Sequence, residues 1–182
     1  MTWPYRLFWI LCVSLVCLAC SRQDDTMPTT RTDVPDEQMD SVRIVSQAGQ
    51  RLEYTLEAVH IDHWKERRMM AADTVTVQTY NAEGVLQATL RADHAELDEA
   101  EDILTARHHV VIVNSQGDSL LTEYVVWNRA TDIIESDQPI TVIRQDGVFR
   151  GNGVRTNIEF SDIVSSGISG EGTTPDSLEK SL

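Results

Sequence analysis

The chain has 182 residues, enough for one modest domain with appendages, and a formal net charge of −14 at pH 7. Such an acidic balance speaks against nucleic acid as a partner, because a phosphate backbone demands a basic surface. All three cysteines, Cys12, Cys17 and Cys20, fall within the first twenty residues, so the body of the chain holds no disulfide and no thiolate metal site.

Residues 1–20 read as a targeting segment. Arg6 supplies a short positive region, and the apolar or small run from Leu7 to Leu18 follows it. That run is short of the roughly 20 residues that span a bilayer. It fits the apolar region of a secretory signal peptide. The segment closes on Cys17-Leu18-Ala19-Cys20 and turns polar at Ser21-Arg22-Gln23-Asp24-Asp25. This resembles a bacterial lipoprotein cleavage box, which implies lipidation at Cys20; the alternative is an uncleaved anchor or an ordinary signal peptide. Residues 21–41, rich in Thr, Asp, Pro, Gln and Ser, read as a flexible tether, since they bury too little surface to offset chain entropy. At the other end, 170–182 reads as a flexible tail.

Between them, residues 42–169 carry a repeat. Leu90, Ala92, Ala95 and Leu97 are followed by Leu104, Ala106, Val110 and Ile112, then by a turn at Ser115-Gln116-Gly117. Thirty residues on, the pattern returns as Leu120, Thr122, Val125, Trp127, Ile134, Ser136, Ile140 and Val142, with a turn at Gln145-Asp146-Gly147. An earlier copy holds Leu56, Ala58, Ile61, Met69, Ala71, Val75 and Val77, and ends at Asn81-Ala82-Glu83-Gly84. A looser fourth copy begins at Phe149 and runs through Ile158 and Phe160.

Steps of two put side chains on one face of a strand, and no window sustains helical spacing. The step of three from Ala92 to Ala95, shared by Ala58–Ile61 and Thr122–Val125, would flip the face unless a bulge absorbs one residue. Each copy is therefore a bent β-hairpin. Val42-Arg43-Ile44-Val45 forms a lead-in strand and Thr156 to Ile163 the last one. Seven to ten strands result, stacked as a jelly-roll-like double sheet or open trough. Many of the predicted inward residues are small: Ala58, Ala71, Ala92, Ala95, Ala106, Thr122 and Ser136. Either they leave a gap for an occupant, or Leu97, Trp127 and Phe160 close it.

Catalytic signatures are wanting. The sequence holds no Gly-x-Ser-x-Gly, phosphate-cradling loop or zinc-protease helix. His60 with His63, and His108 with His109, read as solvated histidines rather than metal ligands, because neither spacing puts both rings on one strand face without a bulge. The acidic run Asp98-Glu99-Ala100-Glu101-Asp102 lacks the glycine of a calcium loop and reads as a solvated turn.

The N-terminal anchor, the polar tether and the cassette Leu-x-Ala-x-x-Ala-x-Leu…Leu-x-Ala-x-x-x-Val-x-Ile together resemble the LptC family, the periplasmic component of the lipopolysaccharide export transporter. Leu120 to Asn128, Ile133 to Ile143 and Gly147-Val148-Phe149-Arg150-Gly151 carry the likeness. The resemblance implies an all-β, twisted open β-jellyroll whose apolar interior holds the acyl chains of lipopolysaccharide. It implies as partners the inner-membrane ABC transporter subunits and a periplasmic bridge protein of the same jellyroll type. No enzyme activity and no cofactor are implied, and the place of action is the periplasmic side of the inner membrane. The residues expected to line the lipid-binding interior are those of the repeat positions above other than Leu120, Ile134 and Ser136, with Ile158 and Phe160. A scaffold lipoprotein with a dry, closed core is the alternative; a hydrolase is a distant third.

Overall fold

The computed structural model describes residues 34–172. Nine antiparallel strands follow one another as a meander in a single sheet: β1 (Glu37–Ala48), β2 (Arg51–Trp64), β3 (Met69–Tyr80), β4 (Leu86–Asp98), β5 (Ile103–Asn114), β6 (Ser119–Asn128), β7 (Ile133–Arg144), β8 (Gly147–Thr156) and β9 (Val164–Gly172). Every strand pairs with its sequence neighbour, and β1 does not pair with β9, so the sheet stays open. The strands follow from period-two patterning, and the turns from residues that tolerate the geometry. Asn81 and Asn114 each accept two backbone N–H groups of the turn that follows, and Gly84 and Gly117 supply the left-handed φ of 77° and 88°.

Two boundaries differ from the sequence reading. β1 begins at Glu37, inside the stretch read as tether, and contains the expected lead-in strand. The last strand is not Thr156 to Ile163: Thr156 ends β8, residues 157–163 form a connection, and β9 begins at Val164. The serine- and glycine-rich composition of β9 hid it, because its apolar Val164 and Ile168 are exposed and show no buried face.

A crease crosses the sheet at mid-strand. Ser41 of β1, Thr74 of β3 and the pair His108-His109 of β5 hold left-handed φ of 54°, 50°, 61° and 50°. Pairing is interrupted at the same level in β2 around Val59 and in β4 around Asp93. β5 has one residue more than either neighbour there, and β7 one more between Ser136 and Pro139. The consequence is read from two adjacent residues. The Ile158 N–H donates to Asp132 Oδ1 at 3.3 Å, while the Glu159 carbonyl accepts from Asn114 Nδ2 at 3.0 Å. Asn114 and Asp132 flank β6 at opposite ends, which a straight ten-residue strand would hold about 30 Å apart. The strands must therefore fold back on themselves at the crease, making two facing half-sheets from one sheet. The Arg129 guanidinium, in the β6–β7 turn, lies 4.7 Å over the Tyr54 ring of β2, joining across the fold two strands four apart in sheet order.

Candidate functional site

The candidate site is the inner face of this folded sheet. Of the residues predicted to line it, all but two are buried, among them Ile61, Ala106, Ile112 and Val125 at 0% exposure. The exceptions are Met69 and Ala71, which are only partly buried; Met70 and Ala72 take the inward positions. The sequence Met69-Met70-Ala71-Ala72 is phase-neutral, since either alternate pair reads the same. The left-handed Thr74 sets the phase, so that the inward step from Ala72 to Val75 is three, as in β2, β4 and β6. In β5 the inward step from Ala106 to Val110 is four, because the two left-handed histidines occupy the bulge.

The small residues have a location that the sequence could not supply. Ala58, Ala72, Ala92, Ala95, Ala106, Thr122 and Ser136 all flank the crease. The bulky Leu56, Met70, Leu90, Leu97, Leu104, Ile112, Leu120 and Trp127 stand further from it. Buried Ile61, Val75, Val110 and Val125 stand at the same level, paired with Ala72, Ala92, Thr122 and Ala106, so small and branched side chains interdigitate where the half-sheets converge. The small residues thus serve the fold line, while Leu97, Trp127 and Phe160 are buried in the same apolar cluster.

The trough opens at its β9 end. A cleft of about 180 Å³ lies between β7, β8 and β9, lined chiefly by Ile140, Val142, Phe149, Ile163 and Ile168, with Arg144 at its side. Ile140 and Val142 are among the residues expected at the interior, whereas Phe149, Ile163 and Ile168 were not, Ile168 for the same reason as β9. Gly170 faces the Phe149 ring across the β8–β9 pair so closely that a Cβ there would meet the ring at 2.8 Å; the glycine lets the ring lie flat over the strand.

Polar groups hold the lips of the fold together. Asp132 accepts hydrogen bonds from Trp127 Nε1 (3.3 Å) and from Ile158 N–H, yet burial raises its carboxyl above the ordinary range. Arg144 donates to the Phe160 carbonyl and forms an ion pair with Asp118 at 3.5 Å.

The outer face is polar and carries a cross-strand row, Asp40–His60–Asp73–His94–Arg107–Tyr124, set by register across six strands. His60 Nδ1 is 2.6 Å from Asp40, His94 Nδ1 is 2.8 Å from Asp73, and Arg107 lies 5.0 Å over the Tyr124 ring. His108 and His109 sit beside Glu123 and Asp93. Among the described residues no group of three or more His, Cys, Asp or Glu has a geometry that could hold a metal ion. None of their helices is long and apolar enough to cross a membrane; Cys20, most of the expected tether and most of the expected tail lie outside the described residues.

Comparison with known proteins places this architecture. No curated protein is matched by the sequence. Among solved structures, the chain is similar to LptH from Pseudomonas aeruginosa, the LptA-homologous periplasmic component of the conserved lipopolysaccharide transport device. The TM-score is 0.56 at 8% identity, covering 66% of this chain and 95% of that one, a likeness of fold. The family model for lipopolysaccharide assembly, LptC-related, matches residues 7–163. An open sheet of serial bent hairpins, folded around an apolar face and matched over most of its sequence by that model, belongs to the LptC-related family of lipopolysaccharide-assembly proteins.

Proposed function

We propose that this chain is the membrane-anchored, non-catalytic component that receives lipopolysaccharide from the inner-membrane ABC transporter. It passes the lipid to a periplasmic bridge protein of the same β-jellyroll type, and Cys20 supplies the attachment on the periplasmic side of the membrane. The observation that carries the reading is the unclosed apolar trough, whose cleft lies at the β9 end of the sheet. Acyl chains gain about 0.8 kcal/mol per buried CH₂, so such a face holds lipid without any catalytic group. The net charge of −14 keeps the phosphorylated headgroup outside the fold or bridged by divalent cations. With no nucleotide-binding motif in the sequence, directionality comes from a partner. The scaffold alternative requires a closed core, and the two unpaired edges of the sheet disfavour it.

Edges decide the partners. Among the described residues, β1 and β9 each leave a row of unpaired backbone groups, which add a strand from another chain. In this reading β9 continues the trough into the bridge, and β1, nearest the anchor, faces the transporter. Photo-crosslinkers at Arg43 in β1 and Ile168 in β9 test the arrangement in cells; Thr156, buried and paired with Ile134, is not an edge position. The expected adducts are a transporter subunit from Arg43 and a jellyroll protein from Ile168. Capture of one and the same protein at both sites contradicts the end-to-end arrangement.

A further inference from the structure

The β8–β9 connection, residues 157–163, has a construction that closing a hairpin does not require. Ile158 and Phe160 are each 1% exposed and belong to the core cluster, although they sit on a connection rather than on a strand. Phe160 holds a left-handed φ of 56°, an uncommon conformation for a residue with a bulky side chain. Its ring is held there by polar fastenings to the backbone, drawn from both lips of the fold. Asp132 takes the Ile158 N–H on one lip; on the other, Asn114 Nδ2 holds the Glu159 carbonyl and Arg144 the Phe160 carbonyl. The segment thus crosses the mouth of the fold, opposite the crease. Its last residue, Ile163, and its latch, Arg144, line the cleft.

We propose that residues 157–163 form a releasable strap, which seats the Phe160 ring on the apolar path and is displaced when an acyl chain takes its place. The proposal rests on the lipid-carrying reading above. An aromatic ring and an acyl chain satisfy the same apolar surroundings, so exchanging one for the other conserves burial. The polar latches, by contrast, are few, and water replaces them once the strap swings out. Release also relieves the left-handed φ of Phe160, a conformation its bulky side chain disfavours.

Asn114→Asp isolates the strap from the rest of the fold. The Oδ1 atom that accepts from Gln116 N–H and Asp118 N–H is kept, while the donor to the Glu159 carbonyl is replaced by an acceptor. The full chain, reconstituted in phosphatidylethanolamine–phosphatidylglycerol vesicles, is followed by amide hydrogen exchange with and without purified lipopolysaccharide, alongside a direct binding measurement. The expected result is that lipopolysaccharide speeds exchange in 157–163 by about tenfold or more while β3 to β5 remain protected. Asn114→Asp should speed the same amides without lipid and tighten apparent binding several-fold, because the competent population rises. Binding without faster exchange in 157–163 overturns the strap and leaves the transport reading standing. Faster exchange in Asn114→Asp without tighter binding likewise overturns it. Absence of any lipopolysaccharide binding overturns the reading itself, and the strap with it.

Discussion

Ala72, Ala95 and Ala106 stand side by side across β3, β4 and β5, one register step after another, just off the crease. Ala106 is wholly buried and the other two are 4% exposed, so no solvent-filled space adjoins them. Their role is steric: a larger side chain at any of these points would push the half-sheets apart where they converge. Ala95→Trp is therefore expected to destabilise the fold by about 1–3 kcal/mol or more, through overpacking. Urea unfolding of the wild type and variant measures the difference in midpoint. An unchanged midpoint would mean that a cavity lies at the crease, contrary to this account. The identities of the inward residues were legible in the sequence wherever large and small residues alternate, as at Leu90, Ala92, Ala95 and Leu97. They were not legible at Met69 to Ala72, where doubled residues erase the phase and a backbone torsion at Thr74 decides it.

At the scale of elements, the outer row of β1 to β6 couples the strands electrostatically. The Asp40 carboxylate, hydrogen-bonded at 2.6 Å, holds the His60 imidazolium above its ordinary 6.5, and Asp62 adds to the effect; Asp93 does the same for His109. A histidine whose folded value is raised contributes stability that is full below 6.5 and lost as pH rises through the folded value. These groups are exposed and the effect is screened by salt, so the change is small. The melting temperature is expected to fall between pH 6 and pH 8. That slope should flatten in the double variant His60→Gln, His109→Gln; an identical slope in both proteins would remove His60 and His109 from the explanation. Most hairpins were readable from the sequence, because their turns carry an Asn, Asp or Gly signal between alternating runs; the β2–β3 turn, Lys65-Glu66-Arg67-Arg68, is the exception. β9 was not, since a strand made of Ser, Gly and two exposed apolar residues resembles a loop until its partner β8 is seen. The crease was half-legible: the steps of three announce a bulge in several strands, but only three-dimensional register shows that the irregularities align.

For the molecule as a whole, bending the strands at one level lets a simple meander enclose an apolar face without closing β1 onto β9. A closed barrel would seal that face, and a flat nine-stranded sheet would expose it; the creased sheet does neither. Family membership and the LptH-like fold agree with a protein of lipopolysaccharide assembly. What the trough accommodates is the central question, and Phe149 is the place to ask it. The ring is partly buried, lines the cleft and lies against Gly170, so replacement by p-benzoylphenylalanine keeps an aromatic ring in the same setting. Val59, 58% exposed beside the crease on the outer face, is the control position. On irradiation in cells, the account predicts a lipopolysaccharide adduct at Phe149 and none at Val59. Equal labelling at the two positions, or no adduct at Phe149 from protein that still reaches the membrane, would contradict it.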